Sequence, residues 1–204
     1  GTSACRMVLP NASRFLNGRV MLHNVLEVDY DAMKVSLAHD KGALVLFDFE
    51  SAFPFESHGY LMEMFKALDM PENMLNFVTA LYSENFCSLS LKGAEFEGFP
   101  INAGIRQGCP LRPLLFAATV DVLLRKLNKA LEQGTIRAFA DDISMVSSNW
   151  PRDASIAKQI FDEFGAMSGL NLNIRKTVCI PLWPGGIEET KNDMSGRVGN
   201  WSNM

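Results

Sequence analysis

The sequence predicts an α+β fold, a mostly antiparallel sheet backed by helices. Helical and strand-like segments come mixed, in the order β-α-α-ββ-α-ββ-α-β from residue 43 onward, without the strict alternation of a parallel sheet. Two strand pairs are joined by very short links, as antiparallel neighbours are. The chain has 204 residues, 48% hydrophobic and 21% charged. That is the balance of a globular chain able to bury roughly 70% of its unfolded surface.

The elements follow in order. Residues 21–38 carry Met21, Leu22, Val25, Leu26, Met33 and Leu37 in a loose helical rhythm, broken around Asp29–Asp31. Gly42 precedes a short apolar run, Ala43-Leu44-Val45-Leu46-Phe47, which reads as a buried strand delivering Asp48 to its C-terminal edge. Pro54 interrupts, and Ser57 caps a helix with Tyr60, Leu61, Met64, Phe65 and Leu68 on its apolar face. Pro71 suits the first turn of a second helix through Met74, Leu75, Val78, Leu81 and Tyr82. Residues 86–99 alternate apolar and polar about Lys92-Gly93-Ala94-Glu95, which predicts a hairpin. A glycine-bearing loop, 103–110, leads into a long helix over 112–131 with Leu115, Val120, Leu123, Leu124, Leu127 and Leu131 as its core face. Residues 135–146 read as two strands meeting at Asp141-Asp142. An amphipathic helix over 152–168 stops at Gly169, and residues 171–182 read as a last pair of short strands. The polar tail beyond, 183–204, is expected to be loosely held.

Charge and cysteine usage exclude several functions. The net charge of −4 is wrong for a free-standing nucleic-acid-binding module, so contact with nucleic acid would need a local basic patch. Cys5, Cys87, Cys109 and Cys179 lie far apart with no C-x-x-C pair, which argues against structural zinc and a disulfide framework. No run of about 18 apolar residues or signal-peptide core is present, so no membrane partner is expected. The implied location is a reducing intracellular compartment, nucleus or cytoplasm. The start at Gly1, without an initiator Met, reads as that of a piece of something longer.

The chemistry is concentrated in a few residues. Asp48 and the pair Asp141-Asp142 sit at strand ends, where each alone could be a turn or terminus residue. If their strands are neighbours, the carboxylates converge on hard divalent cations; Mg²⁺ prefers one or two protein carboxylates plus substrate phosphates. Two such ions, about 3.5–4 Å apart, can activate a hydroxyl and stabilise a leaving pyrophosphate. Gly104 and Gly108 let the backbone approach a ligand, and Arg106 and Gln107 add donors beside the start of the long helix. Residues 104–130 hold five bases (Arg106, Arg112, Arg125, Lys126, Lys129) against the single acid Asp121. A solvated helix face explains the last three equally well.

Four motifs, 47–53 (Phe-Asp-Phe-Glu-Ser-Ala-Phe), 104–111 (Gly-Ile-Arg-Gln-Gly-Cys-Pro-Leu), 139–142 (Phe-Ala-Asp-Asp) and 168–173 (Ser-Gly-Leu-Asn-Leu-Asn) with Lys176-Thr177, resemble successive palm motifs of reverse transcriptases. The resemblance covers about residues 13–182 and is to non-LTR retrotransposons; Ala52-Phe53-Pro54 is similar to forms found in microalgal elements. It implies an RNA-directed DNA polymerase palm that transfers dNTPs onto a DNA primer 3′-OH along an RNA template. Two Mg²⁺ ions, with Mn²⁺ as substitute, would be held by Asp48, Asp141, Asp142 and the Phe49 carbonyl. Phe53 resembles the aromatic gate that excludes a ribose 2′-OH, and Arg106, Gln107 and Gly108 would line the nucleotide and template pocket. Lys176 stands where polymerases keep a general acid for pyrophosphate, and is equally plausible as a solvated strand lysine.

Arg112 replaces the family's usual Ser, and Pro54 the Asp that often follows the gate. The expected organisation is a partial fingers segment (1–40), a palm (41–182) and the tail, with no thumb. That predicts weak or no activity from this stretch alone, with the rest of a retroelement polyprotein as its partner. The rival reading is a catalytically decayed palm serving as an RNA-binding or structural module.

Overall fold

A computed structural model describes residues 21–50, 52–106, 108–131, 134–139 and 141–183. Gln107, the segment preceding Met21, the tail from 184 and the side chains of Phe53 and Phe139 lie outside the described residues.

The centre is β1 (Ala43–Phe47), whose alternate residues Ala43, Val45 and Phe47 are buried on one face. It pairs antiparallel with β5 (Asp142–Ser147) and with β6 (Val178–Pro181), and β5 pairs antiparallel with β4 (Thr135–Phe139). The order across this four-stranded sheet is β4-β5-β1-β6. One face receives α5 (Arg112–Ala130), α6 (Trp150–Ser168) and α3 (His58–Ala67). Phe47 meets Phe161 of α6 at 4.7 Å between ring centroids. All six apolar positions expected of the 112–131 helix are buried.

The other face is covered by α1 (Met21–Ala38), where Val28 and Ala32 pack against Val146. This helix runs unbroken through Asp29–Asp31, contrary to the break its sequence predicts. Asp31 is held by Lys34 at 2.7 Å and accepts a hydrogen bond from Thr135 at 2.6 Å, which offsets the weak helix propensity of aspartate. Asn24 donates to the Ala138 carbonyl at 3.1 Å and Arg137 pairs with Glu27 at 2.6 Å, so α1 is pinned along β4.

Local signals explain most boundaries. Ser57 caps α3 by accepting from the Tyr60 N–H at 3.3 Å. Pro71 stands one residue before α4 (Glu72–Tyr82), with a non-helical ψ of 138°. The hairpin of β2 (Phe86–Leu91) and β3 (Ala94–Pro100) turns on Lys92 and Gly93 alone, both at positive φ, so Ala94 and Glu95 belong to the strand. Asn149 caps α6, which starts two residues earlier than the apolar spacing implies. Gly169 ends it with φ 81°, and a Cβ there would sit 2.2 Å from the Phe55 carbonyl oxygen. The last pair of strands reduces to β6 alone. Residues 173–177 form a turn, the Asn173 carbonyl accepting from Lys176 and Thr177 N–H groups at 3.1 and 2.9 Å. A short helical turn, α2 (Ala52–Phe55), contains Pro54. Among the described residues no helix is long and apolar enough to cross a membrane.

Candidate active site

The sheet brings the predicted acids to one end. β1 and β5 are in register with Phe47 opposite Ile143, so one residue further Asp48 falls across from Asp142. Asp141 occupies the turn between β4 and β5, where Phe139 faces Asp142. Strand alternation puts Asp142 on the face of Ser144, towards α1. A cavity of about 400 Å³ between α1 and that face reaches Asp142 and is lined also by Asp29, Leu46 and Ser144.

The backbone around Asp48 is firmly tied. Its N–H donates to Thr177 Oγ1 at 3.4 Å, its carbonyl accepts from the Asn173 N–H at 2.8 Å, and the Glu50 N–H donates to the Asn171 carbonyl at 2.8 Å. Phe49 is buried against Phe161, 6.3 Å between centroids, and bridges Leu172. The residue expected as a general acid, Lys176, is 72% exposed with its Nζ 3.6 Å from Asp48 Oδ2.

The three carboxylates share a sheet end without forming a closed ligand cage. Among the described residues no three acidic, histidine or cysteine side chains converge as a metal cluster. Like charges repel at close range, and Lys176 already offers Asp48 a counter-charge. The donors are all hard oxygens, the type a divalent cation with bound phosphates requires.

The glycine loop is stitched to the segment bearing Phe53. The Gly104 N–H donates to the Glu56 carbonyl at 2.8 Å, and His58 Nε2 lies 2.8 Å from the Gly104 carbonyl oxygen. Gly104 has φ 91°, and a Cβ on it would come within 2.6 Å of the Pro54 carbonyl oxygen, so glycine is required there. Gly108 also has positive φ, and its Cβ direction is open. Arg106 is exposed and donates to Asn85. Of the basic stretch, Arg125 pairs with the buried Asp121 at 2.8 Å and Lys126 with Glu163, so these two serve the helix packing.

Sequence reasoning missed Glu56. Its side chain is fully buried and takes a hydrogen bond from Thr119 of α5. A glutamate beside a helix N-cap reads as a solvated first-turn acid. Only the closeness of the 104–109 loop and α5, both distant in sequence, encloses it.

An antiparallel sheet packed between helices, with acids at the β1–β5 end, is the architecture of a nucleic-acid polymerase palm. The family model described as Reverse transcriptase (RNA-dependent DNA polymerase) matches residues 5–185, and the chain belongs to that family. It is 27% identical over 155 residues to a retrovirus-related Pol polyprotein from the type-1 retrotransposable element R2 of Popillia japonica, covering 70% of this chain and 21% of that protein. To the Pol polyprotein of the type-2 retrotransposable element R2DM of Drosophila melanogaster it is 29% identical, over 66% of this chain and 13% of the relative. The chain thus spans about a fifth or less of the length of these relatives. Among solved structures, apo telomerase from Candida tropicalis superposes with a TM-score of 0.66 at 14% identity, over 87% of this chain and 34% of that one. These relatives place the domain with the reverse transcriptases of non-LTR retrotransposons, as the four motifs imply.

Proposed function

We propose that this chain is the catalytic palm of an RNA-directed DNA polymerase that extends a DNA primer with dNTPs along an RNA template. The observation that carries the reading is the β1–β5 register, which sets Asp48 opposite Asp142 with Asp141 in the adjoining turn, in a chain of reverse transcriptase family. Asp48, Asp141, Asp142 and the Phe49 carbonyl would hold two divalent ions, Mg²⁺ or Mn²⁺ in its place, which when bound supply charge neutralisation for the primer oxygen and the leaving pyrophosphate. The ties from Thr177 and Asn173 orient the Asp48 backbone for that role. Lys176, which reaches Asp48 from an exposed turn, would carry a proton towards the departing pyrophosphate. Phe53 would exclude a ribose 2′-OH, and Arg106, Gln107 and Gly108 would line the nucleotide pocket. Residues 41–182 form the palm unit in this reading, and the rest of a retroelement polyprotein completes the grip on primer and template.

Primer extension on an RNA template, with Mg²⁺ and either dNTPs or rNTPs, tests the proposal. Short products from dNTPs are expected, and Asp141→Asn should abolish them. Extension that survives this substitution removes Asp141 from the site, and equal use of rNTPs removes Phe53 as a gate. The Lys176–Asp48 contact favours a second reading, a decayed palm whose acids are neutralised internally and which serves as an RNA-binding or structural module. Thermal stabilisation by Mn²⁺ with a dNTP, lost in Asp48→Asn, supports the catalytic reading; no stabilisation supports the other.

A further inference from the structure

Glu56 stands where three parts of the molecule cross. Its carbonyl accepts from the Gly104 N–H at 2.8 Å, the following Ser57 N–H donates to the Ser168 carbonyl of α6 at 2.8 Å, and Ser57 bridges Ala103. Its side chain reaches α5, where the Thr119 hydroxyl donates to Oε1. The carboxyl is fully buried, and Oε2 has no hydrogen-bond partner among the described residues. Its charge acts on Tyr60 of α3 and Tyr82 of α4; Tyr82 in turn adjoins His58, 4.7 Å between ring centroids, and Cys109 of the loop. The Tyr82 hydroxyl is likewise buried, beside Cys109 and the Arg106 backbone. The balance at Glu56 is set by burial and by Thr119.

We propose that Glu56 is a positioning residue, whose carboxyl, hydrogen-bonded to Thr119 and sealed from water, fixes the Phe53-bearing turn α2 against Ala103 and Gly104 and so sets the width of the nucleotide pocket. This rests on reading Phe53 and residues 106–108 as nucleotide contacts. An ionised carboxylate in the same cage leaves one oxygen charged and unpaired, a state relieved by admitting water and loosening the junction. Burial pushes the Glu56 carboxyl up to about 7, against the opposing bond from Thr119, so loosening grows as pH rises from about 4.5 towards 7. Tyr60 and Tyr82, both pushed up to about 12, stay protonated there.

The test is amide hydrogen exchange of Gly104 in the whole chain, corrected for intrinsic rate, from about pH 5.5 to 8.5. In the wild type the corrected rate should rise about tenfold across neutral pH, and in Glu56→Gln, which keeps the shape without the charge, it should stay flat. Thr119→Val, which removes the hydroxyl donor from α5, should raise the exchange at every pH. A flat wild-type profile, or a Gln profile rising in parallel, overturns the proposal. Where primer extension is measurable, wild-type discrimination between dNTPs and rNTPs should weaken about threefold or more over the same range and that of Glu56→Gln should not; equal pH profiles would also overturn it. Absence of extension in every variant counts against the polymerase reading, while the exchange profiles still decide whether Glu56 fixes the loop.

Discussion

Glu56 holds its proton into a range where an ordinary glutamate, at 4.5, has released it, because burial penalises the charge more than the Thr119 bond rewards it. The folded state therefore binds more protons than the unfolded state between these two values. Stability is greatest below about 4.5, falls as pH rises through 7, and stays reduced above it. The size of that loss is about 3 kcal/mol. Asp31 behaves in the opposite sense: burial raises its carboxyl, but Lys34 and Thr135 outweigh that and hold it below the ordinary range. Its contribution is present at neutral pH and lost on acidification. Glu56→Gln should consequently unfold at a temperature nearly independent of pH from about 5 to 8, and its advantage over the wild type should grow with pH. Thermal melts of both proteins across that range check this, and parallel curves would refute it. Nothing in the residue pattern announces this group, since position 56 has the polarity of an exposed helix start. Asp48, by contrast, was legible, because an apolar run ending on a carboxylate marks a buried strand with a polar edge.

At the scale of elements, β1 and α6 carry the site. Phe47 is the last residue before Asp48, and its ring packs on Phe161, 4.7 Å between centroids, with both side chains buried. Phe47→Ala or Phe161→Ala should each cost about 3–5 kcal/mol through lost burial and the cavity left behind. Because the rings touch, the double variant should cost less than the sum by about 0.5–1.5 kcal/mol. Urea denaturation of the four proteins closes this cycle, and strict additivity would show that the pair is not coupled. The helices were readable from period and caps: Ser57, Gly169 and the leucines of α5 all act as their positions suggest. What failed did so for tertiary reasons. Asp29–Asp31 looks like a break until Thr135 of β4 supplies a partner for Asp31. Residues 171–177 look like a strand until the turn at Asn173 and its bond to the Asp48 carbonyl take up the backbone groups.

At the scale of the whole molecule, element order and the antiparallel class were legible because hairpin links and mixed alternation leave few other arrangements. The charge distribution was only half legible. Arg125 and Lys126 lie in the basic stretch between Gly104 and Ala130, yet the fold pairs them with Asp121 and Glu163. That removes two of the five bases counted there, in a chain already at net charge −4. Nucleic-acid affinity from phosphate contacts scales with the counterions released, so bases committed to acids add less to the salt dependence. For a primer–template hybrid, neutralising both bases in Arg125→Gln with Lys126→Gln should leave the slope of log affinity against log salt unchanged. Fluorescence anisotropy over about 50–200 mM salt measures it. A slope shallower by about two phosphates in that double variant would mean that Arg125 and Lys126 leave their acids to meet the backbone of the hybrid. Asp121→Asn separates the two cases: it should steepen the slope by about one phosphate if the pairing holds Arg125 back, and leave it unchanged if Arg125 already contacts the nucleic acid.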